Sequence, residues 1–200
     1  MFDTIVLDMD EVLTDLLTGM NSFYNEHHGT NFRREEYHTC NWWEVWGCTY
    51  EYADKMCYDF ITSERGRDLR PVEGSVDGVR ILQKSYGLVV ATSRKVVYED
   101  LTREWLERNY GTTAFRGVHL LNQYGGSTVP LKKSDVAIRE EAVLAVEDQM
   151  RHVRDFNANG ISCLLLDNPW NRDDELPSNT IRVYSWDDIL REVEMREQKY

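Results

Sequence analysis

The sequence holds little from which to build covalent or metal cross-links. Its four cysteines, Cys40, Cys48, Cys57 and Cys163, lack C-x-x-C spacing, so reduced thiols are expected in place of disulfides. His38 lies near Cys40, but Cys48 and Cys57 would face opposite sides of one helix, which argues against a zinc cluster. No apolar run approaches the ~20 residues of a membrane span, and Met1-Phe2-Asp3 leads straight into a strand, leaving no room for a signal peptide. The expectation is a soluble cytoplasmic protein with no membrane partner. Positive charge is also scarce: 23 basic against 35 acidic residues give a formal charge of −12. Affinity for a nucleic acid polymer rests on clustered Lys and Arg, so that class of partner is disfavoured. A small anionic substrate stays open if a metal and one lysine reverse the sign locally. There is no internal repeat and no low-complexity tract.

What the chain does have is core. Two hundred residues, 12% of them aromatic and six of them Trp, suit one domain with an insertion, or a core plus a small second domain. The run Ile5-Val6-Leu7 reads as a strand buried on both faces. It ends abruptly in Asp8-Met9-Asp10. At the carboxyl end of a strand in an open α/β sheet these acids would point into the ligand crevice; taken alone, they could simply begin a turn. Three more apolar strands end in polar residues: Leu88-Val89-Val90-Ala91 in Thr92-Ser93-Arg94, Val143-Leu144-Ala145-Val146 in Glu147-Asp148, and Cys163-Leu164-Leu165-Leu166 in Asp167.

Between the first strand and its partners the texture changes. Leu16, Met20, Phe23, Tyr24 and His27 recur at helical spacing and Gly29 stops them. From about Asn31 to Arg70 the chain is rich in aromatics and charges and carries no buried-strand pattern. Tyr50, Ala53, Cys57, Phe60 and Ile61 fall on one helical face, opposite Glu51, Asp54, Lys55 and Asp59. This stretch reads as a small helical cap, giving a core of 1–15 and 71–200 and a cap of 16–70. Pro71 and Gly74 mark the return, and Val76, Val79 and Leu82 form a crossover helix ending at Gly87. A helix through Leu101, Trp105 and Leu106, a short strand Val118 to Leu121, a Gly-rich turn at Tyr124-Gly125-Gly126 and a helix from Ser134 follow. A helix through Val153 and Phe156 and a capped helix from Ser185 complete the pattern. Such alternation implies a parallel sheet wrapped on both faces by helices.

That topology would crowd Asp8, Asp10, Glu147 and Asp148 into one volume. Two like charges ~4 Å apart cost about 4 kcal/mol at an effective dielectric of ~20, so a cation is expected among them. Magnesium suits the site: it takes oxygen ligands and binds through one or two carboxylates plus substrate phosphate.

The order D-x-D, T-S, K, E-D resembles the haloacid-dehalogenase (HAD) superfamily of phosphotransferases in all four of its motifs. The resemblance implies an α/β, Rossmann-like three-layer core with a cap inserted after the first strand. It implies Asp8 as nucleophile, Asp10 as general acid and base, and Thr92, Ser93 and Lys133 on the phosphoryl oxygens. Mg2+ would be held by Asp8, the Asp10 backbone carbonyl and Asp148, with Glu147 binding the metal or orienting its water. Lys132 competes with Lys133, and Arg94 reads equally as a phosphate contact or a solvated side chain. Thr92-Ser93 and Glu147-Asp148 would also serve as helix caps. Within the superfamily, D-M-D-x-V-L-x-D at Asp8 to Asp15, T-S-R at Thr92 to Arg94, K-S-x-V at Lys133 to Val136 and G-I-x-x-L-L-x-D-x-P-W-N-R at Gly160 to Arg172 resemble the 5′(3′)-deoxyribonucleotidases and related bacterial nucleotidases. The last run reads as structural, with Pro169 ending the strand segment and Trp170 covering the sheet end. One departure stands out: Glu11 occupies the usual glycine position, where a positive φ would strain it.

The implied substrate is a small phosphate ester, a nucleoside monophosphate. Trp42, Trp43 and Trp46 are candidate base-stacking residues, since stacking a base on an aromatic ring contributes ~1–3 kcal/mol; the same tryptophans could form the cap's own core. His27 and His28 read as helix-end residues. The rival readings are a phosphatase for another ester such as a sugar phosphate, and a non-catalytic binding protein of the same fold.

Overall fold

The computed structural model describes residues 2–124 and 131–198; Gly125 and Gly126 of the expected Gly-rich turn lie outside them. β1 (Thr4–Leu7) is followed by α1 (Leu16–His28), α2 (Trp42–Trp46), α3 (Tyr50–Ile61) and α4 (Glu64–Arg67). Then come α5 (Ser75–Leu82), β2 (Gly87–Thr92), α6 (Glu99–Tyr110), β3 (Gly117–Leu120) and α7 (Lys133–Arg139). The chain continues through β4 (Ala142–Glu147), α8 (Met150–Ala158), β5 (Ser162–Leu166), β6 (Thr180–Val183) and α9 (Trp186–Glu197). The six strands form one sheet in the order β3-β2-β1-β4-β5-β6, parallel throughout.

Strand residues alternate between faces, and the two faces of this sheet bury different helices. Ile5, Leu7, Leu88, Val90, Leu144, Val146, Leu164 and Leu166 pack with Val79 of α5, Trp105 of α6 and Trp186 and Ile189 of α9. Val6, Val89, Ala91, Ala145, Cys163 and Leu165 pack with Val136 of α7 and Val153 and Phe156 of α8. The result is the expected three-layer α/β architecture, with helices α1 to α4 inserted after the first strand. Strand order reverses beside β1, and in open α/β sheets that switch point opens the crevice that holds ligands.

β6 is an element the sequence pattern did not offer. Thr180-Ile181-Arg182-Val183 is only half buried, as befits an edge strand, and Arg182 is drawn to Asp167 and Asn171 (3.0 and 2.5 Å). α9 begins at the expected cap, Ser185 accepting from the Asp188 amide. Its first residue, Trp186, donates its indole N–H to the carbonyl of Val12 (2.9 Å). Gly78 makes room for that ring: a Cβ there would lie 2.2 Å from Trp186 Cε3. The end of the fold is thereby fastened to the turn after β1.

Candidate active site

Three neighbouring strands, β2, β1 and β4, deliver side chains from their carboxyl ends to the same end of the sheet. Asp8 follows β1, Thr92 ends β2, Glu147 ends β4 and Asp148 follows it, while Lys133 opens α7. Lys133 is buried and its Nζ lies 2.7 Å from Asp8 Oδ1 and in contact with Glu147 Oε1. Lys132 instead points outward to Asp155 (2.9 Å), so of the two neighbouring lysines only Lys133 enters the site. Asp8 Oδ1 also accepts from the Met9 amide (2.6 Å). Glu147 Oε2 accepts from the amides of Asp148 and Gln149 (2.8 and 2.9 Å), so both its oxygens are engaged within the protein.

One ammonium thus faces three buried carboxylates. Burial pushes the Asp8 carboxyl above its ordinary range and the charge of Glu147 adds to this. Asp148 is raised for the same reasons, burial first and then Glu147 and Asp8. Burial is the largest influence on Glu147 and opposes its charge, but Lys133, His152 and the Gln149 amide together outweigh it and the net direction is downward. Oxygens of Asp8, Glu147 and Asp148 lie within 4.8 Å of one another. Asp148 Oδ2 and its carbonyl accept from the Trp170 indole (3.0 and 3.1 Å), whereas Oδ1 is buried without a hydrogen-bond partner. An orphaned carboxylate oxygen beside a second acid, all donors being hard oxygens, fits a divalent cation such as magnesium.

Asp10 is held differently. Arg94 Nε reaches both carboxylate oxygens (3.2 and 3.1 Å) and Nη2 reaches Oδ1 (2.7 Å). Thr14 Oγ1 adds a further donor to Oδ1 (2.9 Å). The buried Arg94 is in turn held by Thr102 Oγ1 (3.2 Å). Of the two readings the sequence left open for Arg94, phosphate contact or solvated side chain, the geometry removes the second: Arg94 is buried, lines the cavity and forks onto Asp10. Glu11 does adopt the left-handed backbone, with φ 64°, and its carboxylate accepts from the Leu17 amide (2.6 Å) and from Arg34 (2.5 Å).

Above these groups lies a cavity of about 180 Å³ lined by Asp8, Asp10, Thr92, Ser93, Arg94 and Asp148, and on its upper wall by Trp42, Trp43, Tyr50 and Trp170. Trp46 is a correction to the expectation. It stacks on Tyr24 (centroids 4.0 Å apart) and donates to the buried Tyr37 hydroxyl (2.8 Å), so it belongs to the interior of the insertion and not to the cavity. The Lys95–Asp54 ion pair (2.6 Å) also borders the cavity; in the sequence Asp54 reads only as part of a solvated helix face.

Behind Ser93 sits a residue that sequence reasoning missed. Ser93 Oγ lies 2.9 Å from Gln123 Oε1 and 3.3 Å from His152 Nε2. Burial, followed by the nearby Lys133 ammonium, pushes the buried His152 down to about 3. The unfolded chain takes up this proton near pH 6.5 and the folded chain does not, so stability is lost as pH falls from about 6.5 toward 3, by at most about 1.4 kcal/mol per pH unit. Urea titrations of His152→Gln between pH 7 and 4 should show a shallower acid slope than the parent; equal slopes would remove His152 as the cause.

Comparison with known proteins agrees with the arrangement. A family model for 5′ nucleotidase, deoxy (pyrimidine), cytosolic type C protein matches residues 3–198. A 5′(3′)-deoxyribonucleotidase of Bacillus subtilis is 26% identical over 191 residues, 94% of this chain and 97% of the relative. A haloacid dehalogenase-like hydrolase from Streptococcus pneumoniae shares the fold with a TM-score of 0.70 at 12% identity, covering 96% of this chain and 98% of that one. A HAD-hydrolase from Bacillus subtilis, solved bound to magnesium, does so with a TM-score of 0.66 at 12% identity, covering 96% and 99%. The family match spans both the acidic strand ends and the helical insertion, and the chain accordingly belongs to the cytosolic type C 5′(deoxy)nucleotidase family of HAD-type phosphatases.

Proposed function

We propose that the protein is a magnesium-dependent phosphomonoesterase acting on (deoxy)nucleoside monophosphates through an aspartyl-phosphate on Asp8. The observation that carries this reading is the buried Asp8 carboxylate, held by Lys133 on one oxygen at the floor of a cavity with aromatic walls. Residues 16–70 act as a cap over a core of 1–15 and 71–200.

A carboxylate needs no helper base to be nucleophilic at neutral pH. Asp8 attacks phosphorus and the bond from phosphorus to the nucleoside oxygen breaks. Asp10 gives its proton to the departing oxygen. It then takes one from a water whose oxygen displaces Asp8 and releases inorganic phosphate. The fork from Arg94 fixes the direction of the Asp10 carboxylate; Oδ2 carries only the Nε contact, and the proton is exchanged there. Thr92, Ser93 and Lys133 donate to the phosphoryl oxygens as charge moves. Asp8, the Asp10 carbonyl and Asp148 would hold Mg2+, which supplies neutralisation of the phosphoryl charge. Glu147, both of whose oxygens accept hydrogen bonds within the protein, orients Lys133 and would bind the metal or orient its water. Trp42 and Trp43 face the nucleobase.

The test is a panel of dUMP, dTMP, AMP and a hexose phosphate, each assayed with Mg2+ and with EDTA. The expected result is a kcat/KM for at least one nucleotide about tenfold or more above the sugar ester, a preference of about 1.4 kcal/mol, and loss of turnover in chelator. Equal, feeble rates on all four would end the nucleotidase reading, and full activity in EDTA would end the magnesium requirement.

A further inference from the structure

A single guanidinium ties the inserted segment to two core loops that carry the site. Arg34 lies in a 3-10 turn, Arg34–Glu36, within the insertion, and packs against a second such turn, Pro169–Asn171, in the loop after β5. Its Nη2 donates to Glu11 Oε2 (2.5 Å) and to the buried Asn168 Oδ1 (2.6 Å). Nη1 lies 3.4 Å from Asp15 Oδ1, and the guanidinium sits over the Trp170 ring, 5.6 Å from its centroid. Trp170 is the residue whose indole N–H holds Asp148.

The receiving residue is itself unusual. Glu11 keeps a left-handed backbone, φ 64°, which costs a non-glycine residue roughly 1–2 kcal/mol. Strained residues persist where their surroundings over-determine them. Here the side chain does what glycine could not: one oxygen takes the Leu17 amide in the first turn of α1 and the other takes Arg34. Were Glu11 there for the turn alone, glycine would be the better residue. Its carboxylate is buried, so it depends on Arg34 for a counter-charge.

We infer that Arg34 is a positioning residue: a strut that fastens the insertion over the cavity by joining Glu11 on the nucleophile turn to Asn168 and Trp170 on the loop that steadies Asp148. The inference deepens the phosphatase reading and rests on it for its kinetic consequence, while its structural consequence can be read without any substrate. Fastening the insertion shapes the wall around the leaving group, so its loss falls on substrate capture more than on the chemical step.

The experiment compares the full-length parent with Arg34→Met, Glu11→Gly, the double variant and Arg34→Lys. Hydrogen–deuterium exchange is followed over residues 29–41 and 167–172, and kcat and KM are measured on dUMP with Mg2+. Arg34→Met should speed exchange in both segments by about tenfold, the signature of a local opening, and raise KM for dUMP about tenfold with a smaller change in kcat. Glu11→Gly should do the same even though its backbone strain is gone, and the double variant should be no worse than either single one, because both remove the same link. Arg34→Lys, which keeps the charge but loses the fork, should fall between parent and Arg34→Met. Unchanged exchange in the 167–172 segment, or additive effects in the double variant, would overturn the strut. If Arg34→Met fails to fold, the Glu11→Gly and Arg34→Lys exchange patterns decide alone. If the parent itself turns over no dUMP but exchange rises jointly in the two segments, the strut stands and the substrate reading fails; if the parent is active and KM moves in no variant, the positioning role is overturned.

Discussion

Asp8→Asn should abolish turnover, with a loss of about 10⁴-fold or more in kcat, the scale on which removing a nucleophile acts, and should make the metal-free protein more stable. The first half follows from the chemistry: an amide cannot form the acyl phosphate at a useful rate. The second follows from the electrostatics. Asp8 loses an attraction to Lys133 at 2.7 Å but also loses desolvation and repulsion from Glu147, and the upward direction of its carboxyl shows which sum is larger. In EDTA the variant should therefore melt above the parent. In Mg2+ the order should narrow or reverse, because only the parent offers two carboxylates to the ion. Trapping of 32P-labelled phosphoenzyme checks the chemistry and thermal melts in the two buffers check the charge argument. A variant that keeps its activity would remove Asp8 as nucleophile, and one that melts lower in EDTA would refute the claim that the acids repel.

Lys133→Met should be among the most damaging single changes to stability. The side chain is fully buried between Asp8 and Glu147, and removing one partner of a buried ion pair leaves uncompensated charge at a cost of roughly 3–5 kcal/mol. Methionine fills a similar volume, so the loss is not a cavity effect. Turnover should be lost as well, since no other ammonium among the described residues reaches Asp8. Adding Glu147→Gln to Lys133→Met should return part of the stability and none of the activity. Guanidinium unfolding of the two variants and the parent measures this. A loss below about 1 kcal/mol for Lys133→Met would show the pair to be as weak as a surface bridge.

Legibility in the sequence divides along physical lines. Strands buried on both faces announce themselves as unbroken apolar runs, so β1, β2, β4 and β5 were plain in Ile5-Val6-Leu7 and its counterparts. β6 was not, because an edge strand that leaves Ile181 exposed and spends Arg182 on Asp167 and Asn171 has no such run. The acids could be found because they stand at the ends of those runs, where a folded sheet must bring them together; Lys133, at the start of α7, was found only through the motif order it completes. The tryptophans could not be sorted: Trp42, Trp43 and Trp46 occupy one five-residue helix, too short for periodicity to say which ring faces inward. Arg94 and Arg34 were illegible for another reason. Their partners lie far along the chain, Asp10 at a separation of 84 residues and Asn168 at 134, and a lone arginine in a polar stretch looks solvated until its partner is known.

The bond from the Trp186 indole to the Val12 carbonyl has a bearing on biosynthesis. The acids at positions 8 and 10 leave the ribosome well before Trp186, yet the turn that carries them is clasped by that ring, encoded 174 positions after Val12. A nascent chain still holding that ring in the exit tunnel has an unclasped nucleophile turn, so competence waits until α9 has emerged.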